Sequence, residues 1–147
     1  MILNILSIVS IGLMIGTEFA VSAFINPILS QLDSAAEAHA TSLFARKLGF
    51  VMPFWYVLNF LLLIGEAVVH RHGSGTALLT TASALWAIVI IFTLLVLVPI
   101  NKRLAGMTSK AYSDRLKQQH ARWDMLHRWR VAALSASMVT LLIGIGA

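Results

Sequence analysis

Five residues hold the chemistry available to this chain. Glu18 is the one charged side chain of the apolar stretch IGLMIGTEFAVSAF, and His120, Asp124, His127 and Arg130 crowd the start of the last apolar stretch, HARWDMLHRWRVA. A charge at the centre of a membrane helix costs about 2.5 to 3.5 kcal/mol on insertion scales, so such a carboxylate turns to the bundle interior and takes a partner there. At 100° per residue, Ser7, Ile11, Met14, Ser22 and Ile25 fall within about 40° of Glu18 and form one inward stripe. His120, Asp124 and His127 lie at i, i+4 and i+7, within about 60° of arc, and Val131, Leu134 and Met138 continue their face. Trp129 and Arg122 fall on the opposite side, where an interfacial aromatic and a basic residue belong.

Imidazoles and carboxylates converging on a cavity are what a divalent transition metal requires. Histidine suits zinc, copper and iron, and two histidines with one carboxylate form the non-haem iron pattern. The expected ligands are Glu18, Asp124 and His127, with His120 as a fourth. Arg130 would orient them or act as counter-ion, because a guanidinium has no lone pair to offer a metal. A simpler alternative pairs Glu18 with Arg130 or Lys47 as a buried ion pair, and Asp124 with His127 as an i, i+3 pair. His39 and His120 read as water-facing, His70 and His72 as residues of a flexible turn, and Glu66 as an interfacial carboxylate. Trp55, Tyr56 and Trp123 read as interfacial packing or a platform for substrate stacking.

These side chains need elements to position them. Of the 147 residues, 59% are hydrophobic and 12% charged, and the apolar ones come in blocks. Four blocks, about 2 to 25, 48 to 69, 77 to 99 and 129 to 147, can each cross a hydrocarbon core of about 30 Å at about 1.5 Å per residue. The first lacks a basic leader and a cleavage site and is read as a membrane helix. The fold expected is an all-α integral membrane four-helix bundle, one domain over 1–147, with helices two and four extended into the cytosol. Pro27 and Pro99 are expected to close helices one and three. Asp33 or Ser34 caps helix two, which bends at Pro53, and Ser109 caps helix four. The two halves share a plan: a helix closing on an Asn/Pro pair, an amphipathic segment, and a return helix.

Charge supplies the topology. Arg46 and Lys47 lie between helices one and two, and Lys102, Arg103, Lys110, Arg115, Lys117, Arg122 and Arg128 between helices three and four, whereas the 70–75 turn has Arg71. The positive-inside rule places both long connections in the cytosol and both termini outside, in a bacterial-type plasma membrane. The net charge of +5 is therefore spent on topology and anionic lipid, and nucleic acid is not an expected partner. The absence of cysteine excludes thiol nucleophiles and thiolate ligands.

Depth links the two polar groups. Glu18 is 17 residues from Met1, about 26 Å down, and His127 is 20 residues from Ala147, about 30 Å down, so the two share a level. Asp124 and His120 lie one and two turns further toward the basic side. Gly12 and Gly16 form a GxxxG pair on another face of helix one, which points to a homo-oligomer, with a trimer the expected form.

The stretches GTEFAVSAFINPIL, MPFWYVLNFLLL, VPINKRL and RWDMLHRWRVAALS resemble the anthrone-oxygenase-like family of small four-helix membrane proteins, over nearly the whole chain. The resemblance implies membrane location and, for some members, oxygenation of polycyclic anthrones to quinones. The expected function is a membrane-embedded metal-dependent enzyme, oxygenase or hydrolase, acting through Glu18, Asp124, His127 and Arg130 on a small lipophilic substrate at the cytosolic interface. Two alternatives stand beside it: a proton-coupled small exporter using Glu18, and an assembly subunit with no chemistry of its own.

Overall fold

The computed structural model describes residues 1–106 and 114–147, the side chains of 114–117 excepted. All regular structure among them is helical. Four helices are long and apolar enough to cross a membrane: α1 (Ile2–Leu29), α2 (Ser34–Val69), α3 (Thr76–Ala105) and α4 (Asp114–Gly146). They run up, down, up and down, each beside its chain neighbour, with α1 also against α4. The 36 residues of α2 and 33 of α4 span about 50 Å each, so both outrun a bilayer core, as the extensions expected of helices two and four require. The expected cap at Ser109 lies outside the described residues.

Both termini and the 70–75 turn share one end. Ser74 Oγ donates to the Ala147 carbonyl at 2.5 Å, and Gly65 on α2 lies beside Leu3 on α1. At that end the start of α3 and α4 nearly touch, since a Cβ on Gly75, the residue before α3, would collide with the Gly144 carbonyl. Further in, Ser137 Oγ donates to the Ala82 carbonyl at 3.0 Å. Small residues let two backbones approach where apolar burial supplies no driving force against lipid. At the opposite, basic end, Asp33 caps α2 by accepting from Ala35 N at 3.1 Å and Ala36 N at 3.0 Å, with Glu37 in the first turn.

The two prolines do not end their helices. Each follows a π-turn, Val21–Ile25 before Pro27 and Thr93–Leu97 before Pro99, in the same register. A proline ring collides with the carbonyl four residues back. The wider turn relieves that contact by sending the Asn26 N–H to the Val21 carbonyl and the Val98 N–H to the Thr93 carbonyl. Helix α1 therefore reaches Leu29, and α3 runs on past Pro99 to Ala105. The plan shared by the two halves extends to this detail.

The extra residue of the first π-turn also moves the buried stripe. Ser7, Ile11, Met14, Glu18 and Ser22 are buried as their spacing predicts, but the next buried residue is Asn26, not Ile25. On α4 the stripe runs through Arg130, Val131, Leu134, Ser137 and Leu141 and leaves Met138 half-buried. Trp129 is 71% exposed on the outer face, where lipid belongs. Gly12 and Gly16 are exposed too, with open space where a Cβ would stand.

Candidate active site

Glu18 is 3% exposed and sits at the junction of α1, α2 and α4. Its Oε1 accepts from the Tyr56 hydroxyl at 2.9 Å, and its Oε2 accepts from Arg130 Nη2 at 2.5 Å. His127 Nδ1 lies 3.2 Å from the same Oε2. Tyr56 and Arg130 are buried, and the Arg130 guanidinium carbon lies 5.5 Å from the Tyr56 ring centre. Trp86, fully buried, fixes α2 by donating to the Tyr56 carbonyl at 3.1 Å.

Both ring nitrogens of His127 have partners within the cluster. Nε2 lies 2.9 Å from the Glu18 backbone carbonyl, which only accepts, so Nε2 carries the proton. Nδ1 lies 2.8 Å from Arg130 Nη2 and 3.2 Å from Glu18 Oε2, so it meets a donor and an acceptor at once. Both ring nitrogens of His127 are thus committed, and Trp123 stacks on it at 4.7 Å and 10°.

This arrangement unites Glu18, His127 and Arg130, and leaves Asp124 and His120 out. Asp124 accepts from Asn26 Nδ2 at 2.5 Å and from Arg128 Nε at 3.0 Å. His120 is buried, contrary to its expected water-facing place, with Nδ1 3.9 Å from Glu37. The ligand set expected from the sequence, Glu18, Asp124, His127 and His120, therefore does not converge. Among the described residues no group of three or more His, Asp or Glu side chains is placed to hold a metal ion. The donors present do not fit one either: the guanidinium of Arg130 occupies the position beside Glu18 and His127 that a cation would take. Of the simpler alternatives, the Glu18–Arg130 pair is formed, while Asp124 pairs with Asn26 and Arg128 instead of His127.

A cavity of about 620 Å³ opens against this cluster, a volume typical of small-molecule sites. Glu18, Tyr56, His127 and Arg130 line it together with a mostly apolar wall that includes Val21, Leu48, Met52, Ile90 and Leu97. Pro53 of α2 and the π-turn of α3 both border it, and α2 runs as one α-helix through its proline, with no break to mark the expected bend. Phe50, Val57 and Leu94 line it and are exposed, so the cavity is open at the apolar surface of the bundle. Tyr56, read from the sequence as interfacial packing or a stacking platform, is the member of the buried cluster that reading left out. Its signal was its place on α2 at the depth of Glu18.

A second polar group was missed outright. Glu66 is fully buried, not interfacial: Oε1 accepts from Ser7 Oγ at 2.8 Å and Oε2 lies 3.4 Å from His70 Nδ1. Between the two carboxylates, Asn59 accepts from Ser10 Oγ at 2.6 Å, and Ser10 accepts from Trp55 Nε1 at 3.0 Å. The signals were the i, i+4 spacing of Glu66 and His70 and the place of Ser7 on the Glu18 stripe.

Fold and site together define a multi-pass membrane protein with a buried carboxylate, guanidinium, imidazole and phenol facing an apolar cavity. The family model for anthrone oxygenase matches residues 40–140, more than half of the chain, and the protein belongs to that family. The match takes in Tyr56, His127 and Arg130 and starts downstream of Glu18. Neither a curated protein nor a solved structure matches the chain significantly.

Proposed function

We propose that the protein is a membrane-embedded oxygenase that converts the activated methylene of a lipophilic polycyclic aromatic ketone, an anthrone or a close analogue, to a second ketone. The observation that carries this reading is a buried acid–base cluster at the wall of an apolar cavity, open at the bundle surface, in a chain of the anthrone oxygenase family.

The methylene of an anthrone is flanked by two rings and conjugated to a carbonyl, so its proton is acidic for a carbon acid. Glu18 is the base. It takes that proton, and the electron pair left behind delocalises onto the ring carbonyl oxygen. Arg130 and the Tyr56 hydroxyl, both at the Glu18 carboxylate, supply the positive charge and the donor that stabilise the anion in a water-poor site. Dioxygen adds to the carbanion carbon, and the proton held by Glu18 returns to give a hydroperoxide. Loss of the second methylene proton with cleavage of the O–O bond yields the ketone and hydroxide, which takes up that proton to become water. One methylene and one dioxygen thus give one ketone and one water, so the substrate supplies all four electrons and no other oxidant or reductant is required. His127 holds Arg130 through Nδ1 and the α1 backbone through Nε2, which fixes the guanidinium over the carboxylate.

We also place the basic end in the cytosol and the termini outside, following the Lys and Arg distribution. The outward Gly12/Gly16 face of α1 is where the proposed homo-oligomer, a trimer, would join, and the mass of the detergent-free particle tests it.

The test of function is oxygen uptake by protein in lipid nanodiscs with 1,8-dihydroxyanthrone, corrected for autoxidation. Uptake of one dioxygen per ketone formed, lost in Glu18→Gln, is the expected result. Uptake no faster than empty nanodiscs would overturn the reading.

A further inference from the structure

The cavity bears more positive charge than its buried cluster uses. Among the described residues Glu18 is its one acidic lining residue and is matched by Arg130, whereas Arg46 of α2 and Lys102 of α3 line the same cavity with no ion-pair partner. The two come from different helices, which pack together beside them. Asn101 Nδ2 donates to the Ala45 carbonyl at 3.1 Å, and a Cβ on Gly49 would lie 2.8 Å from that nitrogen. The α2 and α3 backbones therefore meet at the residues just before Arg46 and Lys102, and both cations flank that junction. Membrane topology calls for basic residues at this end but does not call for these two in the cavity. Their chain neighbours Lys47 and Arg103 are as basic and as exposed, and neither lines it.

We infer that Arg46 and Lys102 receive the acid group of an aromatic substrate whose fused-ring body fills the cavity and whose reactive carbon lies at Glu18. This rests on the oxygenase reading for the reaction, and on the charge of the cavity for the acid. Tyr56 touches Glu18, and Arg46 lies ten residues earlier on the same helix, about 15 Å away along its axis. That separation fits two or three fused rings and a short acid-bearing arm. An apolar body entering from lipid would keep its carboxylate at the interface, where the two cations are exposed to water and the cost of desolvating the charge is small.

The test uses the full chain in phosphatidylcholine nanodiscs and two fluorescent probes, 4-(9-anthryl)butanoate and the corresponding alcohol, neither of which has the methylene that the proposed reaction consumes. The wild type is expected to bind the acid about three- to tenfold more tightly than the alcohol, the range for two partly exposed charge pairs. Arg46→Gln with Lys102→Gln should abolish the preference, and Lys47→Gln with Arg103→Gln should keep it. Equal binding of acid and alcohol by the wild type, or equal loss in both double variants, would overturn the proposal. Phosphatidylglycerol added to the nanodiscs should leave acid binding unchanged. If it displaces the acid from the wild type, the cation pair belongs to a lipid headgroup and the proposal fails. Oxygen uptake with 1,8-dihydroxyanthrone, measured alongside, separates the two readings: acid preference without uptake refutes the reaction and not the acid site, and uptake without acid preference refutes the reverse.

Discussion

The Glu18–Arg130 pair lends itself to a double-mutant cycle. Glu18 is 3% and Arg130 8% exposed, and they meet at 2.5 Å in a bundle interior. Removing one partner of such a pair leaves the other charge buried without compensation, at a cost of about 3 to 5 kcal/mol. Arg130→Met leaves the carboxylate with the Tyr56 hydroxyl as its donor, and Glu18→Gln leaves the guanidinium with the His127 ring nitrogen. If the two costs were independent, the double variant would lose about 6 to 10 kcal/mol. The double variant carries no buried charge here, so it should lose only the hydrogen bonds to Tyr56 and His127, about 1 to 3 kcal/mol. Scanning fluorimetry on the 4 tryptophans reads this out in detergent. At about 2 to 4 °C per kcal/mol for a chain of this size, each single variant should melt about 10 °C below wild type, and the double variant above either single. Additive losses, or single variants indistinguishable from wild type, would refute the claim that this pair is a desolvated unit.

Tyr56→Phe keeps the ring against Trp86 and removes the hydroxyl that donates to Glu18 at 2.9 Å, so oxygen uptake should fall about tenfold, the equivalent of about 1.5 kcal/mol for a bond to a charged group. Asp124→Ala and His120→Ala should each keep uptake within about threefold of wild type, because neither residue touches Glu18; a loss above about a hundredfold, together with loss of a bound metal by mass spectrometry, would restore the four-ligand metal site. Gly75→Ala drives a Cβ into the Gly144 carbonyl and should destabilise the bundle by about 2 kcal/mol or more by thermal unfolding, whereas Gly12→Ala, with open space around it, should not in the monomer.

Helix number and the meeting of Glu18 with His127 were legible because both depend on length and depth, quantities a helix converts from residue count at a fixed rise. The Glu18–Arg130 pair was visible as the simpler alternative to a metal site. The metal reading gathered His120, Asp124 and His127 because they share a face of α4. A shared face does not make a shared partner: successive turns meet different neighbours, so His127 finds Glu18, Asp124 finds Asn26, and His120 finds Glu37. Glu37 and Asn26 belong to segments whose placement depends on the π-turn and on how far α2 continues beyond the membrane. No periodicity argument on α4 alone reaches them. The prolines misled in a similar way, since the rule that a proline breaks a helix omits the option of widening the turn before it.

That wider turn makes a helix carry a single-residue insertion. Loops absorb insertions and deletions freely, but a residue deleted between Val21 and Ile25 would return α1 to ordinary pitch and swing everything beyond it by about 100°. Asn26 would leave Asp124, while Ser7, Met14 and Glu18 upstream would stay where they are. The reading frame of the basic end of α1 is thus set separately from that of the membrane core, and one codon in the helix separates the two.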